Sequence, residues 1–522
     1  MANINNPAAL LRSLVVYAVC VPLAIAMGYL LADVDNQSLV VVAVVASILI
    51  FPLLMKWHYP LLVFSCGLPA VLFFLPGHPS LFLFMVVVSL TISVIERILN
   101  RNQPFLPASS IRWSLIALLG VVLLTAKLTG GFGLRSLGSD VYGGKKYIYV
   151  IIGILSFFAF TARPIPRKYA KWYITLYFMG GLFNAIQDLY PFVPSFLRFI
   201  YAVFPPNGMT MGADAGTGQD WELGVTRLAG IAAAAGSIFC WMLARHGIRD
   251  NFLTGKIWRP AVLGLMFILV FLGGFRASIL GIMIIVGLLF YLEKMYQTGV
   301  MMVMVLLGLL GGALIIPMAP HLPYTFQRAL AFLPLDISAQ ARLDAESSTE
   351  WRLEMWSALM PQVPKYLLLG KGYAFSAETF NESMGANATF GHSIDPSQDP
   401  LALSSDFHSG PLSVVIPFGI WAVLVWLWFW AAGFWVVWRN YRYGDAELRH
   451  INIFLFAFFV CKIFIFLFIF GAFPEDVGNF GSLIGLSIAF NHGIMGPRAV
   501  PKANPAFARP RMDFPARPAL QR

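Results

Sequence analysis

The chain of 522 residues is 58% hydrophobic and only 12% charged, with a mean hydropathy of +0.74, so a soluble globular enzyme and a disordered binding module are both excluded. Its net charge of +11 raises the question of nucleic acid, but the basic residues are dispersed over many short segments. They read as membrane topology, with no DNA or RNA partner.

Taken in chain order, apolar runs predict helical spans at 14–31, 39–54, 59–75, 81–95, 113–129, 147–161, 172–186, 225–243, 260–274, 278–292, 299–316, 412–437, 451–471 and 479–494. The expected fold class is therefore an all-α polytopic membrane protein of about 12 to 14 transmembrane helices. The first run follows Arg12 and reads as a retained helix, since further spans follow it. All four cysteines fall inside apolar runs, which supplies neither a metal-binding spacing nor an outward disulfide pair.

Charge orients the spans. Alternate connections collect Lys and Arg, and that side holds 23 basic residues against 6 acids, the other side 12 against 19. Because basic residues are retained in the cytoplasm, both termini are expected there, and the long loop at 318–411 faces outward. Residues 1–495 read as one membrane domain with two outward elaborations, 187–224 and 318–411. The Pro-rich, basic segment 496–522 reads as a disordered cytoplasmic tail that touches membrane lipid.

Within the long loop, Ser347-Ser348-Thr349-Glu350 reads as a capping box opening a short helix from Trp351 to Met360. Segment 372–405 reads as an irregular loop or lid. The loop ends at Asp406-Phe407-His408-Ser409-Gly410, directly before an apolar run, so His408 sits at a membrane surface, an imidazole being a side chain suited to proton transfer. A lone histidine is usually a satisfied surface residue; cations on the same side lift this one. Arg276 lies in a short break between two apolar runs and Arg227 begins another, each either a snorkelling anchor or an anion ligand. Arg352 lies between Glu350 and Glu354, which could simply pair with it. Lys462 falls near the middle of a span, where an ammonium is expensive and a functional candidate.

One base and several fixed cations suit transfer of a glycosyl group from a polyprenyl pyrophosphate. The cations hold the departing pyrophosphate, and the base takes the acceptor's proton. No phosphate-binding loop of the Walker type, Asp-X-Asp pair in the outer loops or zinc spacing is present, so no cofactor and no metal are expected.

These residues carry a resemblance. His408-Ser409, nine residues, then Gly419 resembles the histidine motif of the O-antigen ligase and polymerase family of bacterial envelope glycosyltransferases, with Ala422 departing from its end. Arg276, ten residues, then Gly287 is similar to the arginine-glycine spacing of the polymerases. Arg352-Leu353-Glu354-Met355-Trp356 with Leu369-Gly370-Lys371-Gly372-Tyr373, and Thr226-Arg227-Leu228-Ala229-Gly230, resemble further segments, so the likeness spans about 220–440. It implies a metal-independent inverting glycosyltransferase serving surface polysaccharide or lipopolysaccharide, with His408 and Arg276 catalytic. Arg227 and Arg352 would bind pyrophosphate or glycan, and Lys462, by its place within a span rather than by the resemblance, is a further candidate for that contact. The implied partners are a polyprenyl-pyrophosphate-linked oligosaccharide, a glycan or lipid-core acceptor and a chain-length regulator. The competing reading is a polysaccharide or lipid transporter or flippase, which calls for repeat symmetry and polar residues at midplane.

Overall fold

The computed structural model describes residues 52, 54–75, 77–100, 105–106, 108–133, 141–206, 227–376, 378, 381 and 405–497. The predicted spans 14–31 and 39–54, most of the lid at 382–404, and nearly all of the tail lie outside the described residues. Elsewhere the chain is an all-α polytopic membrane protein. Its β structure among the described residues is a two-residue pairing of Val141–Tyr142 with Phe375–Ser376 and an isolated bridge between Val71 and Ser80.

The principal helices are α1 (54–65), α2 (Leu81–Leu99), α3 (Ser109–Leu128), α4 (Gly144–Thr161), α5 (Ala170–Met179), α6 (Ala229–Leu253), α7 (Trp258–Val270), α8 (Arg276–Leu292) and α9 (Gly299–Met318). After these come α10 (Tyr324–Ala329), α11 (Ala339–Leu359), α12 (Gly410–Tyr443), α13 (Arg449–Phe468) and α14 (Phe473–Asn491). Among the described residues seven helices are long and apolar enough to cross a bilayer, with two shorter apolar helices at Trp258–Gly273 and Arg276–Leu292.

Two predicted spans are cut short. The run 59–75 is helical only to residue 65, where Gly67 and Pro69 follow, and Gly67 lies against the backbone of Gly181. The run 172–186 breaks after Met179 into a tight 3-10 turn at Gly180–Phe183 before a short helix at Asn184–Asp188. Hydrophobicity alone does not register such breaks, because glycine and proline interrupt the backbone while the run stays apolar.

The core gathers around α12, α13 and α14, where Trp426, Trp430, Phe466, Phe473 and Phe480 pack ring against ring. Helix α4 runs along α14, close enough that Gly481 and Gly485 lie on Ser156 and Phe160; small residues permit such approach where lipid offers no hydrophobic drive. Helix α9, by contrast, buries none of its residues. Its apolar surface is suited to lipid on all sides.

Both long central helices are broken at a glycine. In α6, Gly247 adopts φ 64°, and the Glu293 carboxylate at the end of α8 accepts hydrogen bonds from the backbone N–H of Ile248 (3.1 Å) and Arg249 (2.9 Å). In α12, Gly419 adopts φ 70°. There the segment 367–372 inserts its backbone: Ile420 N–H donates to the Leu367 carbonyl (2.7 Å), and the N–H groups of Lys371 (2.8 Å) and Gly372 (2.9 Å) donate to the carbonyls of Ile416 and Pro417. A Cβ at Gly370 would collide with the Pro417 carbonyl, which explains the glycine turn at 370.

Candidate functional site

The long loop builds a cap over one end of the bundle, and it does so with a longer helix than the sequence suggests. Helix α11 begins at Ala339, with the Ser338 hydroxyl accepting from Ala341 N–H (3.3 Å), so Ser347 to Glu350 lie in its interior and are no capping box. The earlier start has an electrostatic reason. Asp344, in the second turn, projects its carboxylate onto two guanidinium groups.

Asp344 Oδ2 accepts from Arg227 Nη2 (2.7 Å), Arg328 Nε (2.6 Å) and the Tyr324 hydroxyl (3.0 Å). The Arg227 and Arg328 side chains are only 9% and 7% exposed, so this carboxylate is the counter-charge that lets both cations stay ionised away from water. Burial pushes the Asp344 carboxyl upward, and the two neighbouring guanidiniums reverse this, leaving it below the usual carboxylate range. Burial and then the adjacent carboxylate push the Tyr324 phenol up to about 12. Arg328 also donates through Nη1 to the Gly274 carbonyl (2.7 Å), which ties α10 to the turn before α8.

Arg276 opens α8 beside this pair. Its Nη2 donates to the Ala345 carbonyl (3.0 Å) and the Thr349 hydroxyl (3.0 Å), both on α11. The N-cap, Phe275, offers no side-chain acceptor and the first turn of α8 carries no acid. Unspent N–H groups at a helix start together with a guanidinium favour an anion. Arg352, one turn beyond Thr349, is partly buried and its Nε has no hydrogen-bond partner. Burial, then the nearby charge of Arg328, lowers its pKa.

His408 closes the group. It adopts φ 50°, a left-handed conformation rarely taken by a residue with a side chain. The strain is held by packing. The Trp356 indole donates to the Phe407 carbonyl (2.8 Å), while Met355, Leu359, Phe407, Leu412 and Ile416 form a small apolar core between α11 and the start of α12. Gly410 leaves no room for a Cβ against Phe466. The imidazole stands edge-on between Trp351 and Phe470, at centroid distances of 5.4 and 5.1 Å. Its Nδ1 lies 3.4 Å from a carboxylate oxygen of Asp406.

Together these residues line one cleft of about 810 Å³, with Arg227, Arg276, Arg328, Arg352 and His408 as its titratable groups. Of the five residues singled out from the sequence, four meet here. Lys462 does not. It lines a neighbouring cleft of about 480 Å³ with Lys146, Asp406, Glu475, Asp476 and Asn479, on the far side of Phe470 and Ile465. Arg328 was missed from the sequence because its charge is interpretable only with Asp344, 16 residues away. The spacing of Arg328 and Asp344, either side of the turn that joins α10 to α11, was the available signal. A third space of about 550 Å³, between α6, α7, α8 and α9, is wholly apolar in its side chains.

The large cleft can therefore hold a doubly charged anion at its arginines and present a proton acceptor at its rim. Residues 261–427, which contain Arg276, Arg328, Arg352, His408 and the Gly419 break, match the family described as O-antigen ligase. No curated protein matches the chain.

Proposed function

From that O-antigen ligase domain at residues 261–427, we propose that this membrane protein is a glycosyltransferase that takes its glycan from a polyprenyl-pyrophosphate-linked donor on the outer side of the bacterial inner membrane. The observation that carries the reading is the convergence of four guanidinium groups and one imidazole on a single cleft at one end of the bundle. A family of ligase type implies a lipid-linked oligosaccharide and a glycan acceptor as substrates; the transporter reading is not favoured by it.

In this reading Arg276, Arg352, Arg227 and Arg328 receive the pyrophosphate. Its two negative charges relieve the mutual repulsion that Asp344 offsets only in part, and as the sugar–phosphate bond breaks the added charge on the leaving oxygen strengthens those contacts. His408, on the rim, takes the proton from the acceptor hydroxyl as it attacks the anomeric carbon from the face opposite the pyrophosphate, which inverts configuration. The proton moves to the imidazole, the electron pair of the broken bond leaves with polyprenyl pyrophosphate, and neither a metal nor a nucleotide takes part. The strained backbone at His408 fixes where its ring stands relative to the cations.

The basic residues at the other ends of the same helices support the outward placement of the cleft. Arg245 and Arg249 lie near the end of α6 remote from Arg227, Lys294 follows α8, and Arg439 and Arg442 close α12. With those ends in the cytoplasm, both termini lie there too, and the segment 496–522 is a cytoplasmic tail to a membrane domain of residues 1–495.

The test is an assay of purified protein in detergent with a polyprenyl-pyrophosphate-linked oligosaccharide. Wild type is expected to release polyprenyl pyrophosphate, and His408→Ala and Arg276→Ala to abolish the release. The size of the glycan product distinguishes polymerisation from ligation. Movement of the intact lipid-linked glycan across vesicles, without cleavage, would replace this reading with transport.

A further inference from the structure

The cleft that holds Lys462 is separated from the arginine cleft by the side chains of Phe470 and Ile465, which line both. Its chemistry is different. Lys146 and Lys462 face Asp406, Glu475 and Asp476, with Asn479 beside them. Ammonium groups only donate hydrogen bonds and carboxylates only accept, so a wall carrying both, with an amide that does each, matches the hydroxyls of a sugar. A pyrophosphate would meet three carboxylates here and be repelled. At about 480 Å³ the space falls in the size range of small-ligand sites.

Asp406 joins the two clefts. Its carboxylate lines the smaller one, yet an oxygen of the same group is 3.4 Å from His408 Nδ1, on the rim of the larger. That oxygen is shielded from solvent and accepts no hydrogen bond. The smaller cleft thus lies next to the His408 turn, on the other side of the Phe470 ring that packs 5.1 Å from the imidazole.

We propose that the cleft formed by Lys146, Asp406, Lys462, Glu475, Asp476 and Asn479 is the binding site for the terminal sugars of the acceptor glycan. This rests on the transferase reading above and assigns its second substrate. Lys462 then serves the acceptor rather than the leaving pyrophosphate. The small volume admits one or two sugar units, so recognition is confined to the acceptor's end and the remainder of the glycan lies outside.

The experiment is titration calorimetry on the purified, detergent-solubilised protein with three probes. They are polyprenyl pyrophosphate, the repeat-unit oligosaccharide released by mild acid from the source bacterium's lipid-linked pool, and the core oligosaccharide of its lipopolysaccharide. One of the two oligosaccharides is expected to bind wild type. Both Glu475→Gln, which keeps the side-chain shape, and Asn479→Trp, which fills the space, should weaken it at least tenfold, with Arg276→Ala within twofold of wild type. Polyprenyl pyrophosphate should show the reverse pattern. Oligosaccharide binding that follows Arg276→Ala instead, or no binding of either oligosaccharide to monodisperse wild type, overturns the acceptor site. Failure of polyprenyl pyrophosphate alone to bind wild type overturns the transferase reading and leaves the oligosaccharide result to be judged by itself.

Discussion

Two clefts share a wall at Phe470 and Ile465 and differ in how their charge is balanced. In the larger, four guanidiniums line the space and Asp344 lies against two of them; in the smaller, two ammonium groups meet three carboxylates. The difference teaches that two clefts beside one histidine can suit different ligands. A wall of guanidiniums suits an anion, whereas a wall that mixes ammonium and carboxylate groups suits hydroxyl-bearing groups.

Ways to break that contrast can be ranked. The largest effect is expected from Arg276→Ala, since it removes two hydrogen bonds to α11 and a cation at the open start of α8; a loss of about 100-fold or more in kcat/KM for the lipid-linked donor is expected, measured by release of polyprenyl pyrophosphate. Next is Asp344→Ala, which leaves Arg227 and Arg328 buried without their shared counter-charge. A destabilisation of about 3 kcal/mol is expected, read from thermal unfolding in detergent. Added pyrophosphate should recover part of this in the variant, because the anion replaces the missing carboxylate.

The same ion cluster sets a pH dependence. The Arg227 and Arg328 guanidiniums hold the Asp344 carboxyl below the usual carboxylate range, so its stabilising contribution is complete above the unfolded carboxyl's pKa and disappears only as pH falls through the lower, folded value. Unfolding followed from pH 6 downward should show wild type losing stability in that acid range, while Asp344→Asn loses less there. Stability of the variant falling in parallel with wild type would remove Asp344 as the group responsible.

A smaller effect is expected at the α12 break. Gly419→Ala places a side chain at φ 70° against the Leu367 carbonyl, so a destabilisation of about 1–2 kcal/mol is expected together with reduced turnover, because the break and the His408 turn lie on one rigid segment. The smallest belongs to Tyr324→Phe. It removes one of three bonds to Asp344 Oδ2, for about 1 kcal/mol, and leaves both guanidinium pairs intact. A loss as large as that of Asp344→Ala would mean the phenol, and not the arginines, holds the cluster.

Much of this arrangement is legible in the sequence, for physical reasons that also mark its limits. Long apolar runs such as 299–316 must span a bilayer, and alternating basic connections orient them, so the class of fold follows from composition. His408 and Arg276 stand out because an imidazole and a cation fall at the ends of apolar runs on the same side of the membrane. The break at Gly180–Gly181, the long start of α11 and the role of Arg328 do not stand out. Each depends on a contact across the fold: Gly67 on Gly181, and Asp344 on Arg227, 117 residues distant. Lys462 was visible as a charge inside an apolar run, but the groups that share its cleft, among them Asp406, Glu475 and Lys146, come from three separate segments, and only folding brings them together.

The most direct measurement pairs binding with turnover for His408→Ala and Arg276→Ala, using a polyprenyl-pyrophosphate-linked oligosaccharide and purified protein. His408→Ala is expected to bind the donor with an affinity near wild type and to transfer nothing, while Arg276→Ala is expected to bind it at least tenfold more weakly. Transfer that persists in His408→Ala, or donor binding unchanged in Arg276→Ala, would contradict the division of the site into a cationic cradle and a base.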